Sequence, residues 1–526
     1  MITSPSATAA TATATQERPL PYRQLLILCG CRFSEPISFT VILPFIIFMI
    51  RDFDITEEKN VGYYAGMITS AFAMAQLMTG ISWGMLSDRI GRRPVILMGT
   101  AGAMTSILLF GLSKSFAWAL ISRSLCGLLN GNVGVLKSMV SEITINNSEE
   151  QRARAFTYLP LIYGLGSIIG PAMGGLLSNP VRNFPSIFGR GGFITDFFTE
   201  YPYFLPCFIS ALICAISLTF GYFYLDETLS TVLKKEEEEE EPLIQNSPSD
   251  DGYRTFEESQ RLSASSPTPT LPDESRPPPT FREAITPAVL AISISYALFS
   301  FQAIYYDELF PIWSASPRNN GGLGYRADEI GIALAYCGIV TLILQLFFLP
   351  KLTARFGVLR LYRFVLAGCI PLYFMQGYVR WFYEIPDLHG ARQTKFWVWV
   401  GILITATFRT CYHSISYTAC TILVNNGAKR LNTLGTVNGF AQCCGSAMRA
   451  LGPATCGMIW SASLGWTWLP YDIRVHISWT VLTLVGILTY YSSTRLNPAD
   501  YEKSKFVSRE DDIAQDDEAC VTHRCA

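Results

Sequence analysis

The sequence predicts an all-α membrane protein in which twelve transmembrane helices form two six-helix bundles. Two observations support this fold class. Hydrophobic residues make up 50% of the 526 residues and charged residues only 16%, a composition too apolar for a water-soluble chain of this length. The apolar residues are also gathered into runs long enough to cross about 30 Å of hydrocarbon.

Twelve such runs follow one another along the chain, separated by polar or charged residues. The predicted spans lie at 24–50, 61–85, 95–113, 116–143, 156–178, 203–225, 284–313, 327–350, 360–380, 396–424, 433–460 and 475–494. The first six belong to a predicted N-terminal bundle (24–225) and the last six to a predicted C-terminal bundle (284–495).

Three polar segments flank and separate these bundles. Residues 1–23 and 496–526 are expected to be disordered cytoplasmic termini, and residues 226–283 a disordered cytoplasmic linker. The linker contains a run of glutamates and stretches rich in serine and proline, so it has too little apolar surface to fold. The even number of spans and the distribution of lysines and arginines favour a cytoplasmic position for both termini.

The loop between the second and third spans is short and strongly charged, reading GMLSDRIGRRP. Its arginines fit a tight cytoplasmic turn between two membrane helices, and its first glycine is expected to let backbones approach closely. A generic basic loop is the alternative interpretation. The pattern G-x-L-x-D-R-x-G-R-R resembles the signature loop between helices 2 and 3 of the major facilitator superfamily. It is carried by Gly84, Asp88, Arg89, Gly91, Arg92 and Arg93.

The two predicted bundles have the features of internal repeats. Arg123 lies in the middle of the fourth span and Arg409 in the middle of the tenth. Each is followed in the next span by a Gly-Pro pair, which ends at Pro171 in one bundle and at Pro453 in the other. The loop between the eighth and ninth spans, PKLTARFG, repeats one arginine and one glycine of the signature loop.

Ionisable side chains inside a membrane span are costly, so each is a candidate for function. We select Arg32, Glu35, Arg123, Asp307, Glu308, Arg409, His413 and Arg449. Arg32 and Glu35 are three residues apart and share a helix face, where Glu35 either exchanges protons or forms a fixed ion pair.

Four of these candidates have specific structural alternatives. Asp307 and Glu308 are expected at the end of the seventh helix, where a helix cap or an outer gate is the alternative to a coupling site. For His413 the alternative is a hydrogen-bonded core histidine. For Arg449 it is tight packing beside the Gly-Pro pair. Arg123 has no acid nearby in sequence, so we expect it to face a cavity, a partner helix or an anionic substrate.

The fifth span combines glycines with a proline in YGLGSIIGPAMGG. Glycines allow helices to pack closely and proline removes a backbone donor, so this span is a candidate hinge between inward and outward states. Ordinary packing of small residues is the alternative. The pattern resembles the antiporter motif of drug:proton exporters in the same superfamily. The hinge candidates are Gly166, Gly170, Pro171, Gly174 and Gly175.

Longer stretches extend the resemblance to nearly all twelve spans. CRFSEPISFTVILPF, SRSLCGLLNGNVGVLKSMVSEIT and YYDELFPIWSASPRNNGGLGYRADEIG are similar to the zinc-induced facilitator-like branch and its fungal relatives. The resemblance implies the superfamily fold and a proton-coupled antiporter. It also implies that Arg123 takes part in proton coupling and that Glu142 joins the charge network of the signature loop.

These observations predict a secondary transporter that exchanges a small drug-like, organic-anion or metal-chelate solute for protons by alternating access. Glu35 and Arg123 are the first candidates for coupling. A membrane sensor with the same fold that transports nothing is the second hypothesis. An enzyme, a cofactor, a metal site and a nucleic-acid partner are not expected, because no nucleotide loop, metal-ligand spacing or nucleophile elbow occurs.

The linker carries one further motif. Glu239, Leu243 and Ile244 form an acidic dileucine pattern, which resembles sorting signals of endosomal, vacuolar and lysosomal membrane proteins. A sorting adaptor is therefore a candidate partner, besides membrane lipid. The expected location is the vacuolar or the plasma membrane.

Overall fold

The computed structural model describes residues 20–144, 147, 149–229, 285–427 and 434–501. Within these ranges the chain forms twelve long helices. Judged by length and composition, seven of them could cross a membrane. The predicted class, an all-α membrane protein, is confirmed. The dileucine pattern at Glu239, Leu243 and Ile244 lies outside the described residues, as does most of the predicted linker.

Six of these helices belong to the first half of the chain. They are α1 (Tyr22–Thr40, continued by Ile46–Asp52), α2 (Val61–Ile90), α3 (Arg92–Gly111), α4 (Phe116–Leu129, continued by Asn132–Ile143), α5 (Glu149–Leu177) and α6 (Phe204–Tyr224). Three short helices join α5 to α6, at Pro180–Asn183, Pro185–Phe188 and Phe193–Glu200. The breaks in α1 and α4 fall inside spans that the sequence predicts as continuous.

The second half contains the other six. They are α7 (Pro287–Ala315), α8 (Ala327–Ile343, continued by Leu344–Phe348 and Leu349–Phe356), α9 (Val358–Gln376, extended by Gly377–Glu384), α10 (Phe396–Asn426), α11 (Leu434–Gly465) and α12 (Ile477–Thr494). Short helical segments occupy the connections and the end of the described chain, at Glu58–Asn60, Arg318–Asn320, Tyr471–Arg474 and Pro498–Tyr501.

The two halves repeat the same internal packing. Helix α1 packs against α5 and α6, just as α7 packs against α11 and α12, and the pair α3–α6 has its equivalent in α9–α12. Between the halves, α2 packs against α11 and α5 packs against α8. These two contacts are equivalent once the helix numbers are shifted by six. The predicted arrangement of two pseudo-symmetric bundles is therefore confirmed.

The loops after α2 and α8 are also equivalent. Gly91 and Gly357 each end one helix and begin the next, with φ angles of +102° and +76°. Residues other than glycine rarely adopt this backbone region. The sequence similarity between the two loops therefore reflects a shared backbone conformation.

The halves meet at the ends of the helices that lie opposite the signature loop. The largest cluster of buried apolar side chains contains residues of both halves there, among them Phe45, Val61, Trp313 and Trp460. On the signature-loop side, three smaller clusters form, and each contains residues of one half only. A cleft between the halves thus opens toward the signature loop and is closed at the other end.

Small residues allow the helices to touch at the closed end. A Cβ atom built on Gly66 of α2 would lie 2.2 Å from the carbonyl oxygen of Pro453 in α11. A Cβ atom on Gly457 would lie 2.3 Å from the carbonyl oxygen of Gly62. By contrast, Gly80, nearer the signature loop on α2, has no atom within 4 Å of the position of its Cβ. Close backbone contact between α2 and α11 is thus confined to the closed end.

The hinge candidates lie in one unbroken helix, although α5 contains Pro160 and Pro171. Three of them pack against α1 of the same half. The position of a Cβ on Gly166, Gly170 and Gly174 is 2.5, 2.0 and 1.8 Å from atoms of Pro36, Thr40 and Val41, respectively. Gly175 instead faces Ala327 of α8, in the other half. The glycines therefore serve close helix packing in this conformation.

We expect Gly174→Val to destabilise the protein by roughly 1–3 kcal/mol, because an overpacked helix contact must open to admit the side chain. Thermal unfolding in detergent, followed by tryptophan fluorescence, measures the change. Gly80→Val is the matched control, since it places the same side chain on a helical glycine with open space around it. Equal melting temperatures for the two variants would contradict the tight α1–α5 contact.

Candidate functional site

Arg92 is the centre of the signature loop. Its side chain is buried, and its Nη1 atom donates a hydrogen bond to Ser87 Oγ at 2.9 Å and pairs with Asp88. Its Nε atom donates to Glu142 Oε1 at 2.9 Å. The structure thus brings Asp88, Arg92 and Glu142 together from the ends of three helices.

Glu227, directly after α6, extends this network. Its carboxylate accepts hydrogen bonds from the backbone N–H groups of Arg92 and Arg93, at 2.8 and 3.0 Å. These are the first two residues of α3, where a negative charge is favoured by the helix dipole. A Cβ on Gly91 would lie 2.4 Å from a Glu227 oxygen. The sequence interpretation placed Glu227 in the linker and assigned it no role, since nothing local marks it as a helix cap.

Two residues of the signature pattern lie apart from these contacts. No atom lies within 4 Å of a Cβ built on Gly84, so the close backbone approach expected there is absent in this conformation. The side chain of Arg89 is exposed. Gly84 belongs to the end of α2 that lies on the open side of the molecule.

Arg32 and Glu35 form an ion pair on α1. Glu35 Oε1 also accepts a hydrogen bond from Asn130 Nδ2 at 3.3 Å, and the Arg32 guanidinium lies 5.7 Å from the centre of the Tyr163 ring on α5. Asn130 is located at the break in α4. Glu35 is therefore held by partners on two helices of its own half.

Arg123 is fully buried within the first half, with 1% of its surface exposed. Its guanidinium carbon lies 4.7, 5.9 and 6.0 Å from the ring centres of Phe72, Phe110 and Phe39, within the range of cation–π attraction. Its Nε and Nη2 atoms have no hydrogen-bond partner among the described residues. Aromatic rings from α1, α2 and α3 thus surround the guanidinium of Arg123. The sequence predicted that this side chain would face a cavity, a partner helix or an anionic substrate.

Glu308 reaches the same region from the second half. Its side chain is buried and accepts a hydrogen bond from Thr69 Oγ1 of α2 at 3.4 Å. Arg123 of α4 lies within electrostatic range of it, and the thiol of Cys456 of α11 lies nearby. Within the described part of the chain, Glu308 forms no ion pair. Arg123 and Glu308, one from each half, thus lie within electrostatic range of each other where the halves meet.

Asp307 is paired within the second half. It forms an ion pair with Arg409 of α10, whose guanidinium also lies 4.3 Å from the centre of the Tyr306 ring. The expectation that Asp307 and Glu308 end the seventh helix is wrong, because α7 continues to Ala315. Their position about two turns inside the helix lets both carboxylates face the interior of the molecule.

The remaining candidates lie on α10 and α11. His413, one turn after Arg409, stacks on Phe299 with ring centres 5.6 Å apart. Arg449 donates a hydrogen bond to Ser446 Oγ at 2.7 Å. Lys137 of α4 was missed by the sequence interpretation, although a lysine inside a predicted span is the same signal that selected the other candidates.

Comparison with known proteins decides the family. The family model described as Major Facilitator Superfamily matches residues 28–453. The chain belongs to the major facilitator superfamily. The resemblance predicted from the signature loop is thereby confirmed.

Relatives within this superfamily are fungal and plant transporters. The multidrug transporter mfsB of Aspergillus fumigatus is 30% identical over 493 residues, which cover 84% of this chain and 79% of that protein. ZINC INDUCED FACILITATOR-LIKE 1 of Arabidopsis thaliana is 29% identical over 477 residues, covering 88% and 89%. This superfamily member is therefore a multi-pass membrane transporter of small solutes and not an enzyme.

Solved structures support the fold alone. A bacterial homologue of the human lysosomal transporter Spinster, in an inward-facing and unoccupied conformation, superposes with a TM-score of 0.61. It shares 17% sequence identity, and the match covers 93% of this chain and 100% of that one. The superfamily fold is thus retained at low sequence identity.

Proposed function

We propose that this transporter exchanges a small solute for protons by alternating access, and that Glu308 is the group that binds the proton. What supports this function is the position of Glu308 at the contact between the two halves. A conformational change that separates the halves at the closed end must break the Thr69–Glu308 hydrogen bond. The environment of this carboxylate therefore changes with each transport cycle.

Burial determines which protonation state each conformation prefers. At the closed contact Glu308 is 4% exposed, and a buried carboxylate without an ion pair is costly in its charged form. The groups that face it are Thr69, Arg123 and Cys456, besides its neighbour Asp307. Opening of the closed end would hydrate Glu308 and favour the charged carboxylate, so protonation favours closure and deprotonation favours opening.

Arg123 acts on Glu308 across the same contact between the halves. Its buried guanidinium has no ion-pair partner among the described side chains and interacts with Glu308 from the other half. When Glu308 loses its proton, its attraction to Arg123 increases and opposes separation of the halves, so deprotonation favours opening only because water then solvates both charges more strongly than they attract each other. Arg123 is thus proposed as the positioning residue that links the charge of Glu308 to the relative position of the halves.

The two paired carboxylates are proposed to have other roles. Glu35 is paired with Arg32, and Asp307 with Arg409, each pair lying within one half. Each carboxylate moves together with its guanidinium, so separation of the halves leaves both pairs intact. We therefore assign these pairs to the wall of the cleft, together with His413, and the Arg92 network to the rigidity of the first half. Gly166, Gly170, Pro171, Gly174 and Gly175 would keep α5 in close contact with α1 and α8 as the halves move.

Purified protein in liposomes with an acidic lumen and an alkaline medium tests the exchange. Fluorescein, rhodamine 6G and zinc citrate serve as an anionic, a cationic and a metal-chelate probe. We expect at least one of them to accumulate in the lumen, since protons leaving the lumen drive solute inward in an exchanger.

Nigericin, which collapses the pH gradient, is expected to abolish this accumulation, and liposomes without protein are the control. Accumulation that persists after nigericin would show transport without proton coupling. Binding of a probe without any flux would instead favour the non-transporting sensor.

A further inference from the structure

We infer that the cleft binds an organic anion, and that Lys137 of α4 and Arg449 of α11 are the cationic groups that select it. This inference rests on the proposed function and specifies its substrate class. Lys137 belongs to the first half and Arg449 to the second, and the two lie near enough to interact across the cleft. Arg32 of α1 and Arg449 both lie near enough to Lys137 to interact with it electrostatically.

The charges of the cleft do not cancel. The positive charge of Arg32 is balanced by Glu35, and that of Arg409 by Asp307. Lys137 and Arg449 form no ion pair with any acidic residue in the described ranges of the chain. Arg449 has a hydroxyl partner, Ser446 Oγ, which leaves its charge uncompensated. Lys137 and Arg449 therefore contribute two positive charges that no acidic side chain in the described ranges neutralises.

An uncompensated charge at this depth requires a counter-charge. Lys137 is exposed although it lies in the second segment of α4, so water in the cleft solvates its ammonium group when the site is empty. A cationic cleft concentrates anions and repels cations. A carboxylate or sulfonate on the solute would replace this water with a charge-assisted hydrogen bond.

Tyrosine side chains complete the proposed site. Tyr163 of α5 and Tyr417 of α10 are each 43% exposed and lie near each other, one on each half. Tyr296 of α7 is buried behind them, where its hydroxyl donates a hydrogen bond to Gln442 and its ring lies near Tyr417 and Arg449. Rings with a polar tip bind the apolar or aromatic body of a solute while their hydroxyl groups remain hydrated. The solute that fits these groups is an anion with an aromatic or apolar body.

Two dyes with the same ring system and opposite charge provide the test. Fluorescence anisotropy measures the binding of fluorescein and of rhodamine 6G to the full-length protein in detergent. We expect fluorescein to bind more tightly than rhodamine 6G. Lys137→Gln and Arg449→Gln should each weaken fluorescein binding about tenfold, as expected for the loss of one charge-assisted contact.

Two further variants control for charge and for folding. Lys59→Gln removes one positive charge that pairs with Glu57, at the closed end of the molecule, and should leave the affinity for fluorescein unchanged. Lys137→Arg keeps the charge and should retain binding. If Lys137→Gln does not fold, Arg449→Gln and Lys137→Arg still distinguish loss of charge from loss of structure.

Binding in detergent requires no flux, so this experiment can fail independently of the proposed exchange. Equal or tighter binding of rhodamine 6G would overturn the inference, even if proton-driven transport of that dye is observed. Wild-type affinity of Lys137→Gln and Arg449→Gln for fluorescein would overturn it too. Selective fluorescein binding without flux would support the anion site and contradict the transport cycle.

Discussion

Glu308→Gln should reduce proton-driven accumulation of solute in liposomes to the level of liposomes without protein. Glutamine has nearly the shape of glutamate and can still accept the hydrogen bond from Thr69 Oγ1, but it cannot bind and release a proton. The variant should therefore fold and close normally. It would lose only the step that couples the pH gradient to the movement of the halves.

A second measurement separates this loss of coupling from a general loss of transport. Exchange of labelled for unlabelled solute, with equal pH on both sides, requires the cleft to open alternately to each side and needs no net proton movement. We expect Glu308→Gln to retain this exchange. A variant that loses both activities would indicate that Glu308 is needed for closure rather than for proton binding.

Glu35→Gln is the matched comparison, because the sequence analysis named Glu35, together with Arg123, as a first candidate for proton coupling. Its ion pair with Arg32 lies within the first half, so we expect proton-driven accumulation to persist in this variant. If Glu35→Gln abolishes accumulation and Glu308→Gln does not, the proton site is on α1 and the role proposed for Glu308 is wrong.

Arg92→Met should destabilise the protein by roughly 3 kcal/mol, the largest effect on stability that we expect from one substitution. Removing one partner of a buried ion pair leaves the other charge uncompensated. Here Glu142 would keep only the hydroxyl of Thr228, and Ser87 would lose a hydrogen bond. Thermal unfolding in detergent measures the change, and the yield of monodisperse protein should fall with it.

Arg89→Met is the matched control from the same loop. Arg89 is exposed and three residues away, so its substitution should change the free energy of unfolding by less than about 0.5 kcal/mol. The double variant Arg92→Met, Glu142→Leu should be less destabilised than the sum of its two single variants, because Glu142, the less exposed of the two carboxylates that pair with Arg92, is removed together with its guanidinium. Strict additivity would show that Arg92 and Glu142 do not depend on one another.

Much of the fold could be predicted without coordinates. The helical class follows from the length of the apolar runs, and the pseudo-symmetry follows from features repeated in order, such as Arg123 with Pro171 and Arg409 with Pro453. The equivalence of Gly91 and Gly357 could also be predicted, since two similar loops adopt the same backbone. The breaks in α1 and α4 could not, because a turn inside an apolar run leaves its hydropathy unchanged.

The sequence was less informative about the site. It identified most of the ionisable residues within the membrane but not their partners. The pairing of Asp307 with Arg409, and the hydrogen bond of Thr69 to Glu308, join residues more than one hundred positions apart. The predicted end of the seventh helix was also wrong. The polar pair Asp307 and Glu308 suggested that the helix ends there, but α7 continues to Ala315 through buried residues.

The amino-acid sequence alone determined the membrane class, the number of helices, the internal repeat and the superfamily, because hydropathy, helix length and loop motifs are local properties of the chain. Only the tertiary structure decided which charges are neutralised. Arg32 and Arg409 meet acids, Arg123 meets three aromatic rings, and Lys137 meets no acid in the described residues. The cost of a charge in the membrane depends on the groups within a few ångströms of it, and those groups come from helices that only folding brings together.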